Sequence, residues 1–194
     1  MILGITGGTG SGKTTLLQQI EAAGGVILDC DAIYHQLLRD DKNLLQAIED
    51  RFPGTVIDGQ LDRKKLGEVV FADENALLEL NTITHGAVKR EVMRILDANP
   101  SLAAIDAIGL FESGLDNLCD VTVAVTAPED QRIQRLVARD GISREYAQKR
   151  IAAQHSGDWY RKKCTYTLEN DGELDAFATK CIAFLQRLGI MKAD

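Results

Sequence analysis

Several features that would place this 194-residue chain in a special structural class are scarce or missing. It has only 3 prolines, which argues against a disordered or collagen-like chain. Its 4 cysteines are far apart and form no Cys-x-x-Cys pair, so neither a disulfide framework nor a zinc site is expected. No run approaches the ~20 apolar residues of a membrane span, and the first residues carry no basic signal-peptide region. These absences predict a globular protein with free thiols in a reducing cytoplasm.

The charge of the chain is acidic overall but unevenly distributed. A net charge of −7 argues against a general nucleic-acid binder. The segment from Arg132 to Lys163, however, holds nine of the 22 lysines and arginines and only three of the 29 acidic residues. Such a segment is either a solvated surface or a place where an anionic ligand is bound.

Strand-like and helix-like segments alternate along the chain, which predicts an α/β fold with helices on both faces of a parallel sheet. Five short strands are predicted, and they span Ile2–Thr6, Val26–Asp29, Leu102–Asp106, Val121–Thr126 and Thr165–Leu168. A helix is expected over Thr14–Ala23, ending at two glycines, and another from Pro128 to Asp140.

Two stretches do not fit this alternation. Residues 40–100 contain three helical patterns, which is far longer than an ordinary crossover between strands. We interpret them as a helical substrate lobe, and residues 140–163, within the basic segment, as a mobile lid. Plain packing helices are the alternative for both. The whole chain, 1–194, is expected to form a single domain with these two insertions.

A glycine-rich loop follows the first predicted strand. Residues 7–14, GGTGSGKT, fit the pattern G-x-x-x-x-G-K-[ST] between a strand and a helix. Glycines let successive backbone N–H groups face a phosphate, and the following helix N-terminus favours negative charge. Lys13 is expected to reach the β- and γ-phosphates, and the Thr14 hydroxyl to bind Mg²⁺. The predicted ATP-binding residues are Gly8, Thr9, Gly10, Ser11, Gly12, Lys13, Thr14 and Thr15.

Acidic residues follow two other predicted strands. Asp29 and Asp31 are two apart, so in extended chain both would face the crevice where ligands bind. Either is a candidate base for an attacking hydroxyl, and the alternative is a helix cap by Asp31. Asp106 ends an apolar strand, as does the aspartate that holds Mg²⁺ in the Walker-B pattern. Glu112 follows it and either faces the same crevice or lies on the surface.

The helix after Pro128 places three arginines on one face, which suits either solvent or a planar grip on phosphate. They are Arg132, Arg135 and Arg139, and the opposite face carries Ile133, Leu136 and Val137, which are expected in the core.

His85 lies in a helical pattern beside Gly86, which predicts a break or a close approach there. A lone histidine on a helix is more often a structural residue, and the neighbouring glycine strengthens the alternative that His85 belongs to a binding site.

These motifs, in this order, resemble the dephospho-CoA kinase family from about Ile2 to Leu188. The matching segments are ITGGTGSGKTT, LDCDAIYHQL, DGQLDRKKLGEVVF, ITHGAV, AIDAIGLFESGL, RLVARDGISREYAQKRIAAQ and LENDG. The resemblance implies a P-loop NTPase core with a five-stranded parallel sheet, a CoA-substrate lobe and a lid. It implies ATP-dependent phosphorylation of the ribose 3′-hydroxyl of dephospho-CoA, the last step of coenzyme A biosynthesis.

The resemblance also implies roles for single residues. Asp31 matches the proposed base, Gly10 to Thr15 the ATP-binding loop, and Arg139 the lid-side arginine. The resemblance also implies that His85, Phe111 and Glu112 bind the substrate and that Asn170 lies near the adenine. The chain departs from the family where Gly86 replaces a proline and Ile108-Gly109 replaces Pro-Leu.

Other functions remain open at this point. They are another P-loop small-molecule kinase, such as a nucleoside monophosphate kinase, a non-catalytic nucleotide switch, and a structural protein with a vestigial loop. No Asn-Lys-x-Asp guanine-binding motif is present, and intact Lys13 and Thr14 argue against a vestigial loop. We expect ATP, Mg²⁺ and a small-molecule substrate, no nucleic acid or membrane partner, and a monomer or weak homo-oligomer.

Overall fold

The computed structural model describes residues 1–98 and 100–192, and its helices and strands alternate along most of the chain. In chain order they are β1 (Ile2–Thr6), α1 (Lys13–Ala22), β2 (Val26–Asp29), α2 (Cys30–Asp40), α3 (Lys42–Arg51), β3 (Val56–Ile57), β4 (Gln60–Leu61), α4 (Arg63–Val70), α5 (Glu74–Leu96), β5 (Ala103–Asp106), β6 (Val121–Thr126), α6 (Glu129–Asp140), α7 (Arg144–Ala152), α8 (Gly157–Lys163), β7 (Tyr166–Glu169) and α9 (Leu174–Arg187).

Five of these strands form one sheet, in the order β2-β5-β1-β6-β7. The central strand β1 runs parallel to both neighbours, with Leu3 level with Ala104 on one side and Val121 on the other. All five predicted strands are confirmed, with small shifts in their bounds: the third begins at Ala103, and the fifth is Tyr166–Glu169. The carboxyl ends of parallel strands share one edge, so the loop after β1 lies in the crevice expected of such sheets.

The core beside the sheet is built by α1 and α9. Leu3 and Ile5 of β1 pack with Leu16 and Ile20 of α1, and all four are fully buried. The predicted end of α1 at the two glycines is confirmed. Gly24 adopts φ 85°, and the Gly25 N–H donates to the Ile20 carbonyl at 2.9 Å. A left-handed residue favours glycine, which is why the helix stops there.

The structure divides into two compact units, one of Met1–Leu28 with Pro100–Asp194 and one of Asp29–Asn99. The second unit has its own apolar cluster, which includes Leu44, Ile48, Leu66 and Val70. The predicted substrate lobe of residues 40–100 and lid of residues 140–163 stay predictions, and residues 99, 193 and 194 lie outside the described residues.

Helix α5 corrects the expectation at Gly86. The helix runs without a break from Glu74 to Leu96. A Cβ atom on Gly86 would meet only Arg90 Nη1, at 3.6 Å, which is an ordinary contact. The predicted break or close approach is therefore wrong. Burial of Ala87, Val88 and Val92 on the same helix stabilises it despite the glycine.

Helix α6 packs on α7 within the basic segment. Ile133 and Leu136 are buried against Ala147 and Ile151, as expected for the apolar face of α6. Val137 was also expected in the core, but it is 37% exposed because it lies about 100° around the helix from Leu136. The predicted end of α6 at Asp140 is confirmed, with Gly141 at φ 65°. None of the described helices is long and apolar enough to cross a membrane.

Candidate active site

The glycine loop joins β1 to α1, and three of its glycines, Gly7, Gly10 and Gly12, have positive φ. Gly7 adopts φ 136° and Gly12 adopts φ 97°. A Cβ atom on Gly7 would lie 2.1 Å from the Val125 carbonyl oxygen, and one on Gly12 would lie 2.2 Å from Asn170 Nδ2. The loop therefore fits closely against β6 and the residue after β7. Lys13 is the first residue of α1, and its ammonium donates to the Gly7 carbonyl at 3.0 Å.

Two side chains from distant parts of the chain hold the Thr9 peptide groups. The Thr9 N–H donates to Gln154 Oε1 at 2.8 Å, and Arg132 Nε donates to the Thr9 carbonyl at 2.9 Å. Arg132 Nη2 also approaches Gln154 Oε1, at 3.3 Å. Burial lowers the pKa of the Arg132 guanidinium. The Thr9 N–H, which the sequence assigns to ATP, faces Gln154 in this structure.

A second arginine of α6 contacts the later part of the loop. Arg135 Nη1 donates to the Gly10 carbonyl at 3.3 Å and lies 3.4 Å from the Ser11 carbonyl. Its Nη2 donates to Asn170 Oδ1 at 3.2 Å, and Asn170 Nδ2 donates to the Ser11 carbonyl at 2.9 Å. Burial lowers the pKa of Arg135 as well. The structure thus brings Asn170 to the loop.

Arg139 lies apart from these contacts. Its guanidinium donates to both carboxylate oxygens of Asp140, at 2.6 Å and 3.1 Å, and the Arg139 side chain is largely exposed. Arg150 donates to the same carboxylate at 2.8 Å. Hydrogen bonds from both arginines lower the pKa of Asp140. The role of Arg139 at phosphate stays a prediction.

Phe111 and Glu112 pack against the basic segment. Glu112 Oε1 and His155 Nε2 are 2.7 Å apart, and the His155 ring stacks on Trp159 with centroids 3.7 Å apart. Phe111 meets Trp159 edge-on at 5.7 Å. A cavity of about 340 Å³ adjoins this cluster, and its lining includes Ile108, Gly109, Glu112, Gln154, His155 and Tyr160.

The two predicted magnesium ligands, Asp106 and Thr14, both belong to the unit of Met1–Leu28 with Pro100–Asp194. Asp106 ends β5, where it is level with Ile5 of the adjacent β1, and Thr14 lies in the first turn of α1. Carboxylate and hydroxyl oxygens suit Mg²⁺, which commonly binds one or two side chains together with substrate phosphates. Among the described residues, no group of three or more His, Cys, Asp or Glu could hold a metal ion.

The second unit carries the other predicted site residues. Helix α2 begins at Cys30, so Asp31 lies in its first helical turn and is exposed. Asp29 ends β2 and is extended, but Asp31 is helical, so the expectation that both lie on extended chain is wrong at Asp31. The helix cap is Asp29, whose Oδ1 accepts from the Ala32 N–H at 3.0 Å, and not Asp31. His85 is partly buried in α5. Asp31 as the base and His85 as a substrate contact stay predictions.

Sequence reasoning missed Gln154 as a partner of the loop. It left Arg132 and Arg135 either on a solvated face or as a grip on phosphate, whereas both donate to loop carbonyls. The available signal was their shared helix face with Arg139, together with a helix that starts directly after β6. No local pattern points to Gln154, because it lies 145 residues from Thr9 along the chain.

A parallel sheet whose central strand runs through a glycine loop into a helix that begins with lysine defines a P-loop kinase fold. The solved structure of a shikimate kinase from Bacteroides thetaiotaomicron shares this fold, with a TM-score of 0.54 at 18% identity over 98% of this chain and 99% of that one. The family model for dephospho-CoA kinase matches residues 1–176, and the chain belongs to the dephospho-CoA kinase family.

Individual relatives agree with the family match. The dephospho-CoA kinase of Thermus thermophilus is 35% identical over 189 residues, which cover 97% of this chain and 92% of the relative. That of Bacillus licheniformis is 33% identical over 180 residues, 90% of each chain. The solved dephospho-CoA kinase from Campylobacter jejuni has a TM-score of 0.70 at 26% identity and covers 98% of both chains.

Proposed function

We propose that this chain transfers the γ-phosphoryl group of ATP to the ribose 3′-hydroxyl of dephospho-CoA in the cytoplasm, giving CoA and ADP. The observation that carries the proposal is the match of residues 1–176 to the dephospho-CoA kinase family, together with an intact phosphate loop. This reaction is the final step of coenzyme A biosynthesis, in which a small-molecule alcohol is the acceptor.

The phosphate loop is the proposed binding site for the ATP phosphates. The fit of Gly7 and Gly12 against Val125 and Asn170 leaves no room for side chains at these two positions, and glycine there lets the loop backbone come close to the phosphates. Residues Gly10 to Gly12 lead into α1, and Lys13 to Thr15 form its first turn, where the helix N-terminus favours negative charge. Lys13 neutralises charge that develops on the transferring group.

Two side chains of the same unit are the proposed ligands of Mg²⁺. They are the Asp106 carboxylate and the Thr14 hydroxyl, and the nucleotide phosphates would complete the coordination. When bound, the ion would neutralise charge on the β- and γ-phosphates.

Asp31 is the proposed base, on the strength of the family resemblance. In the transfer, the acceptor oxygen forms a bond to the γ-phosphorus, and the bond from that phosphorus to the bridging oxygen of ADP breaks. The hydroxyl proton goes to the Asp31 carboxylate. A weak base suffices because the transition state is loose and the new bond forms late. Asp31 is exposed, in the first turn of α2.

The test is to identify the product. Purified protein with ATP, Mg²⁺ and dephospho-CoA should give ADP and a product one phosphoryl group heavier than dephospho-CoA. Phosphorus NMR of that product should show a ribose 3′-phosphomonoester. A phosphoryl group at another position, or no acceptor-dependent ADP, would reject the proposal.

A further inference from the structure

Both backbone groups of one loop residue are hydrogen-bonded by side chains that come from far along the chain. The Thr9 N–H donates to Gln154 Oε1 at 2.8 Å, and the Thr9 carbonyl accepts from Arg132 Nε at 2.9 Å. Arg132 Nη2 lies 3.3 Å from the same Gln154 oxygen, so the two side chains also contact each other. We call Thr9, Arg132 and Gln154 the loop clamp.

The loop clamp is close-packed as well as hydrogen-bonded. Arg132 is only 7% exposed. A Cβ atom on Gly8 would lie 2.2 Å from Arg132 Nη2, and one on Gly10 would lie 2.9 Å from the Arg132 carbonyl oxygen. The first half of the phosphate loop is therefore held by α6 on one side. Gln154 approaches it from the turn that joins α7 to α8.

We propose that Arg132 and Gln154 are positioning residues for nucleotide binding. By fixing the Thr9 peptide, they keep the loop backbone that leads into α1 in the conformation that binds phosphate before the nucleotide arrives. The apparent dissociation constant of a ligand rises as the fraction of protein in the binding-competent conformation falls. Loss of the clamp therefore weakens nucleotide binding. Nucleotide affinity thus depends on Gln154, in the turn after α7, as well as on the loop itself.

This inference rests on the proposed function only in that the loop binds the ATP phosphates. ADP binding measured by calorimetry therefore tests it without any acceptor. Gln154→Leu keeps the size of the side chain and its lack of charge but removes the acceptor oxygen. We expect it to raise the ADP dissociation constant about tenfold, because an N–H of a packed loop loses its partner. Gln148→Leu, the same change at an exposed position of α7, is the matched control and should bind as wild type.

Gln154→Glu separates positioning from simple packing. Glutamate keeps an acceptor for the Thr9 N–H and adds a charge partner for the Arg132 guanidinium. It should restore ADP binding to within about threefold of wild type, since charge-assisted hydrogen bonds are at least as strong as neutral ones. Binding by Gln154→Glu as weak as that of Gln154→Leu would overturn the proposal.

Arg132 supplies the second half of the test. Arg132→Met should weaken ADP binding, and the double variant with Gln154→Leu should lose less than the product of the two single effects, because the residues act as a unit. In steady-state assays the ATP KM should rise more than kcat falls. If Arg132→Met does not fold, the comparison of Gln154→Leu with Gln154→Glu decides alone. Both variants should fold, because the Gln154 side chain is only partly buried.

The outcomes keep the two proposals separate. Wild-type protein that binds ADP but does not phosphorylate dephospho-CoA would reject the proposed function and leave the loop clamp fully testable. Wild-type-like ADP affinity in both Gln154→Leu and Arg132→Met would overturn the loop clamp and leave the kinase activity untouched. Wild-type protein that binds no ADP would overturn both.

Discussion

Lys13 and Lys42 are both the first residue of a helix, but only Lys13 follows a glycine loop. Lys13→Ala removes the charge that is proposed to stabilise the transferring phosphoryl group, so kcat should fall by roughly 10²–10³. The Lys13 side chain is only partly buried, and the fold should survive. Steady-state kinetics is the measurement, and Lys42→Ala, an exposed lysine on α3, is the control that should remain active. Near wild-type turnover of Lys13→Ala would exclude the phosphate-binding role of the loop.

Asp31 and Asp29 should respond differently to the same substitution. Asp31→Asn keeps the size of the side chain but removes the proposed proton acceptor, so kcat should fall strongly while ATP binding is mostly retained. Asp29 caps α2, and asparagine caps a helix about as well as aspartate, so Asp29→Asn should keep both stability and most of the activity. Comparing kcat of the two variants decides the assignment, and the reverse order would make Asp29 the base.

At the scale of residues, the sequence predicted what is local. The eight residues of the loop carry a contiguous motif, so Lys13 and Thr14 were assigned from their neighbours alone. The partners of that loop are not local. Gln154 and Asn170 are 145 and 159 residues away from the loop residues that they contact. Contacts between residues so far apart in the chain produce no local sequence pattern from which they could be predicted. Asn170 was found only through the family resemblance.

At the scale of elements, the sheet strands were predictable because each is a short run of apolar or β-branched residues bounded by turns. The hairpin of β3 and β4 was not predicted, because each strand is only two residues long. A signal was present in Asp58-Gly59, the turn between them, where φ is 53° and 75°. Aspartate followed by glycine is typical of a hairpin turn with positive φ at both positions.

Arg139 is the penultimate residue of helix α6, and a role at phosphate requires its ion pair with Asp140 to break. The Arg139 side chain is largely exposed and Arg150 still holds the Asp140 carboxylate, so the cost of breaking that pair is small. Arg139→Lys keeps the charge but loses the planar fork that grips two oxygens, so ATP KM should rise and kcat should fall.

Arg144 provides the comparison for Arg139. Its bond to Asp130 joins two exposed side chains, so Arg144→Ala should be nearly silent. Steady-state kinetics on both variants is the test. Equally small effects would mean that the arginine end of α6 is only a solvated surface, and the lid interpretation of residues 140–163 would be dropped.

At the scale of the whole molecule, three thiols link stability to alkaline pH. Burial, with Asp116 and Asp120 nearby, raises the pKa of Cys119 to about 12, and burial raises the pKa of Cys164 and Cys181 to about 11. Unfolded cysteines ionise near pH 8.5, so the folded protein holds more protons between that pH and about 11. The free energy of unfolding should therefore be fully retained below about pH 8.5 and fall as the pH rises further.

Urea unfolding at pH 8 and at pH 9.5 measures this effect. Replacement of Cys119, Cys164 and Cys181 by alanine should reduce the loss between the two pH values, whatever it does to stability at pH 8. An unchanged loss in that variant would assign the alkaline effect to other groups.

The choice of acceptor tests the kinase assignment most directly. The measurement is ADP release, coupled to an indicator reaction, with ATP, Mg²⁺ and a panel of dephospho-CoA, AMP, CMP and UMP at matched concentrations. The chain matches the dephospho-CoA kinase family over residues 1–176, so release should depend on dephospho-CoA and exceed that with every nucleoside monophosphate. Release of ADP with AMP, CMP or UMP, and none with dephospho-CoA, would contradict the account.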